Sequence, residues 1–277
     1  MSPSALAALL MILSGSIHAV VNAILKSGRN KTAGRALIDG SSALLMLPAL
    51  PFVPLPAGAW GWLAATALLH TAYLYALVKA FETADLSASY PILRGTAPLV
   101  TALVTLGILG EPARMHDIAG IALIGAGMFV MVAGRHVDGA ALRWSVLTGV
   151  IIAAYTVLDA HGVRAAPSAP SFIVWFFFLF GLTVAAFFAW LSRRDFVEAA
   201  RAQWRAGAIA GALSIVTYGL ALYALSLGPT APLAALRETG MVTALLIATI
   251  VLKERATWGR VIGIAAILGG AALILTR

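Results

Sequence analysis

The sequence predicts an all-α integral membrane protein of ten transmembrane helices, arranged as two inverted five-helix repeats. Its composition points there first: 61% of the 277 residues are hydrophobic and 11% are charged, where a soluble domain carries about 25% charged residues. The apolar runs have the length of helices and lack strict alternation, which argues against an outer-membrane barrel. Finally, residues 236–270 repeat residues 93–127 at a constant offset of 143.

Ten spans fall near 4–25, 35–54, 59–81, 87–109, 115–134, 142–163, 170–191, 204–227, 231–252 and 257–276. Several exceed the roughly 20 residues needed to cross a bilayer, so tilt is expected. The first span has no charged n-region or cleavage site and reads as a retained helix, not a signal peptide. Five spans per half place the boundary between residues 1–138 and 139–277. An odd number per half makes the second half cross in the opposite sense, about a pseudo-two-fold axis in the membrane plane. Between spans seven and eight, Ser192 to Arg205 reads as a short amphipathic connector lying along the interface, with Phe196, Val197, Ala200 and Trp204 at helical spacing.

The repeat is carried by Leu93, Arg94, Thr96, Leu103, Leu109, Glu111, Ala113, Gly120, Ile121, Ala122, Ile124 and Gly127. Each recurs 143 residues later, from Leu236 and Arg237 to Gly270, giving 12 matches in 35 positions. Chance would give about one in ten. A duplicated membrane segment that keeps a costly arginine in both copies points to a transporter. Gly120 and Gly263, with the small residues after them and Gly207 and Gly211, read as close helix packing.

Other classes are excluded or disfavoured. With no cysteine in the chain, disulfide and thiol chemistry is ruled out. His18, His70, His116, His136 and His161 show no metal-ligand spacing, and neither a P-loop nor an enzyme template such as Gly-x-Ser-x-Gly or His-Glu-x-x-His is present. The net charge of +8 sits mainly in short loops, which reads as membrane orientation and not nucleic-acid affinity. Lys and Arg concentrate in the odd-numbered loops, and this count places those loops in the cytoplasm and both termini outside.

These features resemble the drug/metabolite transporter superfamily in its ten-span, EamA-type form. The resemblance rests on Ser89-Tyr90-Pro91, Leu109-Gly110-Glu111-Pro112 and Ile118-Ala119-Gly120-Ile121, with Leu252-Lys253-Glu254-Arg255 and Val261-Ile262-Gly263-Ile264 in the second half. It implies a permease, and cytoplasmic termini, which opposes the loop count; both topologies stay open. The substrate is not implied, since the superfamily moves amino acids, sugars, nucleotide derivatives and drugs.

Arg94 and Arg237 each lie roughly 10 Å in from the start of spans four and nine. In inverted halves they flank the midplane from opposite sides, where a guanidinium suits a carboxylate or phosphate. Snorkelling to the headgroups, or a fixed pairing with Glu238 or Asp159, are the competing structural readings. Glu238 and Asp159 are the candidates for proton coupling or contact with a cationic group. Tyr155 lies one turn before Asp159, and His18 and Asn22 repeat that spacing at an offset of 137, suggesting an inward polar stripe. Tyr90 and Trp175 lie deep enough to line a cavity, whereas Trp60, Trp62, Trp144, Trp204 and Trp258 read as interfacial. Asp39 is expected near the interface, paired with Arg35 one turn earlier.

The expected function is secondary active transport of a small polar metabolite, an amino acid, zwitterion or organic anion, by alternating access. The alternative is a proton-coupled multidrug exporter for lipophilic cations. A membrane-embedded enzyme or lipid-linked sugar flippase subunit is the third reading; it requires catalytic residues at one interface, and none cluster there. The expected partners are a small-molecule substrate, membrane lipid and a coupling proton, with no cofactor, no metal and no nucleic acid. A functional monomer in a bacterial inner membrane is expected.

Overall fold

The computed structural model describes residues 2–27, 30–83, 86–134, 137–193, 196–251, 253 and 257–276, some of them by backbone alone. Among these the fold is helical throughout. The first half contains α1 (Pro3–Ser27), α2 (Lys31–Met46), α3 (Trp60–Thr83), α4 (Leu86–Ala102) and α5 (Met115–Val130). The second contains α6 (Gly139–Ala165), α7 (Ala169–Leu191), α8 (Phe196–Leu227), α9 (Thr230–Leu236), α10 (Gly240–Leu246) and α11 (Trp258–Leu275). Helix starts follow the side chains: Asn30, Asp138, Ser168 and Thr257 each accept a bond from a first-turn N–H of α2, α6, α7 and α11.

Seven of these helices are long and apolar enough to cross a membrane, fewer than the ten spans read from the sequence. The shortfall has local causes. α2 is 16 residues long, carries Lys31, Arg35 and Asp39, and gives way at Leu47–Phe52 to a 3-10 turn containing Pro48 and Pro51, which cannot supply helical N–H groups. α5 is likewise only 16 residues long. The expected ninth span is discontinuous, because a 3-10 turn at Arg237–Thr239 separates α9 from α10. The expected connector at 192–205 is also corrected: from Phe196 onward it belongs to α8, a single helix of 32 residues. At 1.5 Å per residue, α8 is about 48 Å long and outruns a hydrocarbon core of about 30 Å.

Helices before and after residue 138 pack across each other. α1 packs on α8 and α6 on α3; α2 packs on both α7 and α8, and α7 on both α2 and α3; α5 packs on α11. Local backbone repeats as well. Leu103–Ile108 after α4 and Ile247–Val251 after α10 both wind as π-helix. Gly110 and Lys253, which end the two segments, both adopt positive φ, at 67° and 53°.

Glycines bring backbones together where the pattern led one to expect it. A Cβ on Gly120 would lie 2.6 Å from the Gly270 carbonyl oxygen, and one on Gly127 would lie 2.8 Å from that of Gly263, so α5 and α11 touch along their backbones. Gly211 meets the Ile38 carbonyl of α2 in the same way, at 2.7 Å. The closest approach was not singled out by the sequence: Gly15 of α1 faces Gly240. A Cβ on Gly15 would sit 2.2 Å from the Arg237 carbonyl oxygen, and one on Gly240 would sit 2.3 Å from the Gly15 oxygen. α1 is thereby seated directly on the break between α9 and α10.

Gly15→Ala should cost about 1–3 kcal/mol by overpacking, read as a lowered unfolding temperature in detergent. Gly61→Ala is the matched control, since its Cβ would meet nothing within 4 Å; equal behaviour of the two would refute the crossing. Lys253→Gly should raise stability by about 1 kcal/mol, by removing the left-handed strain on an L-residue, and an unchanged melting temperature would count against that strain.

Candidate substrate-binding site

The break between α9 and α10 places the chemistry. Where α9 stops, the 3-10 turn presents Arg237, Glu238 and Thr239, all buried. Across from it, α4 presents Arg94 from a continuous helix, with Pro98 four residues on. Proline has no N–H, so the Arg94 carbonyl loses its helical donor at this level. Arg94, Arg237 and Glu238 line one internal cavity, closed in by Thr101 and Pro98 of α4, Thr156 of α6, and Tyr218 and Leu225 of α8. The cavity measures about 20 Å³, room for one water molecule.

Arg94 Nε lies 2.7 Å from Glu238 Oε2, joining the halves by an ion pair whose side chains are 7% and 4% exposed. Neither of those two atoms makes an aligned hydrogen bond. The guanidinium of Arg94 also lies 5.9 Å from the Tyr90 ring centroid. Arg237 is differently placed. Among the described residues no carboxylate comes within ion-pair distance of it; instead it stacks over the Tyr218 ring at 4.9 Å, and its Nε is buried without a partner. A buried guanidinium held by a ring face and not by a carboxylate is ready to take an anion.

Behind Tyr218 lies a second cluster. Asp159 is fully buried and accepts hydrogen bonds from the hydroxyls of Thr66 and Tyr218, with His70 Nε2 at 3.0 Å. The His70 ring stacks on Tyr155 at 3.8 Å between centroids and meets Phe176 and Phe180 edge-on. Asp159 is thus enclosed by three partners, of which Tyr218 is the one that also lines the cavity. Helical spacing already put Tyr155 and Asp159 on one face, but their partners Thr66 and Tyr218 come from helices far apart in sequence. The one available signal was His70, on the face it shares with Tyr73.

The remaining candidates divide. His18 of α1 lies within electrostatic reach of Arg237, Arg94 and Arg35 but is not among the residues that line the cavity. The side chain of Asn22 lies outside the described residues. Trp175 does not join the cavity; it packs edge-on against Trp60 at 5.2 Å, with its indole nitrogen buried and unpartnered. Asp39 is paired with Arg35 by two contacts of 2.6 Å, as expected, and is buried between helices, 1% exposed.

One face of the bundle carries a polar cluster directly over the cavity. Arg164, at the end of α6, donates to the carbonyls of Leu225 at 3.0 Å and Gly228 at 2.6 Å, to Thr230 Oγ1 at 3.2 Å and to Glu111 Oε1 at 3.2 Å. Glu111 also accepts from the Thr230 N–H at 2.9 Å and its hydroxyl at 2.8 Å, capping α9. Burial favours the protonated carboxyl, but the bonds from Thr230 and Arg164 outweigh it and hold Glu111 below the usual carboxylate range.

Two measurements follow. Arg94→Met and Glu238→Met should each cost about 3–5 kcal/mol, since either strands a buried charge, while the double variant should recover most of the loss; additive losses in chemical unfolding would refute the pairing. For Glu111, a lowered folded pKa contributes stability above its ordinary value of about 4.3 and loses it as pH falls through the lowered one. Melting temperatures taken from pH 6 to 3 should therefore fall more steeply for the parent than for Glu111→Gln, and parallel curves would exclude the contribution.

Comparison with known proteins agrees with this architecture. A solved crystal structure is similar over 98% of this chain and 96% of its own, with a TM-score of 0.73 at 18% identity, a likeness of fold. No curated protein matches the sequence. Residues 140–276 match the EamA-like transporter family; the second half of this multi-pass membrane protein is an EamA-like transporter domain of the drug/metabolite transporter superfamily.

Proposed function

We propose that the protein is a secondary active transporter, not an enzyme, and that it moves a small polar metabolite bearing a carboxylate, an amino acid, zwitterion or organic anion, by alternating access. The observation that carries this reading is the single cavity lined by Arg94, Arg237 and Glu238 between the halves. In this reading ten spans form two inverted five-helix halves, residues 1–138 and 139–277. The exchange of helix neighbours supports it, as do the matched π-segments. The discontinuous ninth span at the site supports it too, since transporters place such breaks at midplane sites.

Arg237 takes the anionic group, because among the described residues no carboxylate pairs with its guanidinium. Glu238 takes an amine or a coupling proton by release from Arg94. Tyr90 and His18 sit close enough to the arginines to shape the site, and Tyr155 supports it through His70. Asp159 acts through Tyr218, the one of its three partners that also lines the cavity. Inside the bundle Arg35 pairs with Asp39 and Arg94 with Glu238, while Arg237 and Asp159 both meet Tyr218. A zwitterion adds no net charge to that set. Two guanidiniums against one carboxylate at the cavity wall weigh against the multidrug reading, in which a lipophilic cation would have to displace Arg94. In this reading the protein works as a functional monomer in a bacterial inner membrane.

A thermal-shift screen of detergent-purified protein against amino acids, dicarboxylates and lipophilic cations tests this. A ligand at 100 times its Kd adds about 2.7 kcal/mol. Stabilisation by carboxylates or zwitterions should appear in the parent and vanish in Arg237→Gln; stabilisation of both proteins by lipophilic cations alone would reverse the assignment.

A further inference from the structure

We propose that Glu111, Arg164 and Thr230 form the gate that closes the arginine cavity toward one membrane face. The proposal rests on reading that cavity as the transported site, and it adds which contacts must break to open it.

The geometry ties the cluster to the cavity at two points. Leu225 belongs to both: its side chain lines the cavity while its carbonyl accepts from Arg164. Thr230 is the first residue of α9, and Arg237 follows at its end. At seven residues α9 is a rigid strut of about 10 Å, so its two ends move together. Ala234, midway along it, faces the cavity. Displacing Thr230 from Glu111 therefore displaces the wall of the cavity and the turn that carries Arg237.

The bonds also cross between halves. Glu111 belongs to the segment after α4, whereas Arg164 and Thr230 belong to α6 and α9. A rocking motion of one half against the other must separate them. Their setting suits a contact that opens and closes: the Arg164 and Glu111 side chains are 33% and 15% exposed, so water replaces the lost partners. The Arg94–Glu238 pair deeper in has no such replacement. Between α8 and α9 the chain is only Gly228-Pro229, whose carbonyl and N-cap positions the cluster grips.

The absence of cysteine from the chain permits a test that needs no known substrate. Ala234→Cys places a thiol on the cavity wall, and a membrane-impermeant maleimide is applied to oriented vesicles from either face. Adding Glu111→Gln should raise the labelling rate about tenfold from one face and leave the other unchanged. Thr230→Val, which removes the shared hydroxyl and keeps the backbone N–H, should act in the same direction and serves if Glu111→Gln fails to fold. Unchanged labelling in both variants overturns the gate, as does an equal rise from both faces, which reports a loosened bundle. One-sided labelling without any stabilisation by carboxylates would keep the gate and discard the substrate assignment; the reverse pattern would discard the gate alone.

Discussion

Burial of charge in a medium of low dielectric is the constraint around which this fold is arranged. An unpaired ion in such an interior is costly enough that charged side chains there come in sets. Arg35 is locked to Asp39 within α2, and Arg94 to Glu238 between the halves. Asp159 is held by neutral hydroxyls and an imidazole, and Arg237 by an aromatic face. Tyr218 stands between those last two, with its hydroxyl on the carboxylate and its ring under the guanidinium. Remove that side chain and two charges of opposite sign lose their support together.

The backbone follows from this arrangement. Arg237 and Glu238 reach the interior from a 3-10 turn, and a turn within a span leaves carbonyls without helical donors, tolerable only where protein covers them. α1 provides that cover at the Gly15–Gly240 crossing, where any side chain would force the helices apart. Overhead, Arg164 satisfies the open carbonyls at the end of α8, while Glu111 satisfies the first N–H of α9. The discontinuous segment is thus enclosed by glycine contact on one side and charged hydrogen bonds at its end.

Much of this was legible in the sequence, for identifiable reasons. Arg94 and Arg237 stand out because charge is rare in apolar runs, and the repeat marks them as equivalent. Packing glycines are legible because small residues recur at helical spacing. Burial of Asp39 was not, since a residue near the start of an apolar run gives no depth; depth came from α7 and α8 packing over it. Trp175 looked suited to a cavity by its position in span seven, but its direction is set by Trp60 at the start of α3. The Thr66–Asp159 and Tyr218–Asp159 bonds join residues 93 and 59 positions apart, beyond any local periodicity. The helix break at Arg237 was hidden because neither glycine nor proline lies in the turn itself or in the three residues before it.

A π turn holds more residues than the α turn it replaces, so each such segment records a small expansion of a helix. This chain has one after α4 and another after α10, at matching places in the two halves. The two segments end in register, since Ile108 and Val251 are 143 residues apart. The turn that follows extends the likeness. Gly110 adopts its left-handed conformation freely, whereas Lys253 holds the same conformation as an L-residue with a Cβ. The second segment therefore makes the bend of the first at a higher conformational cost.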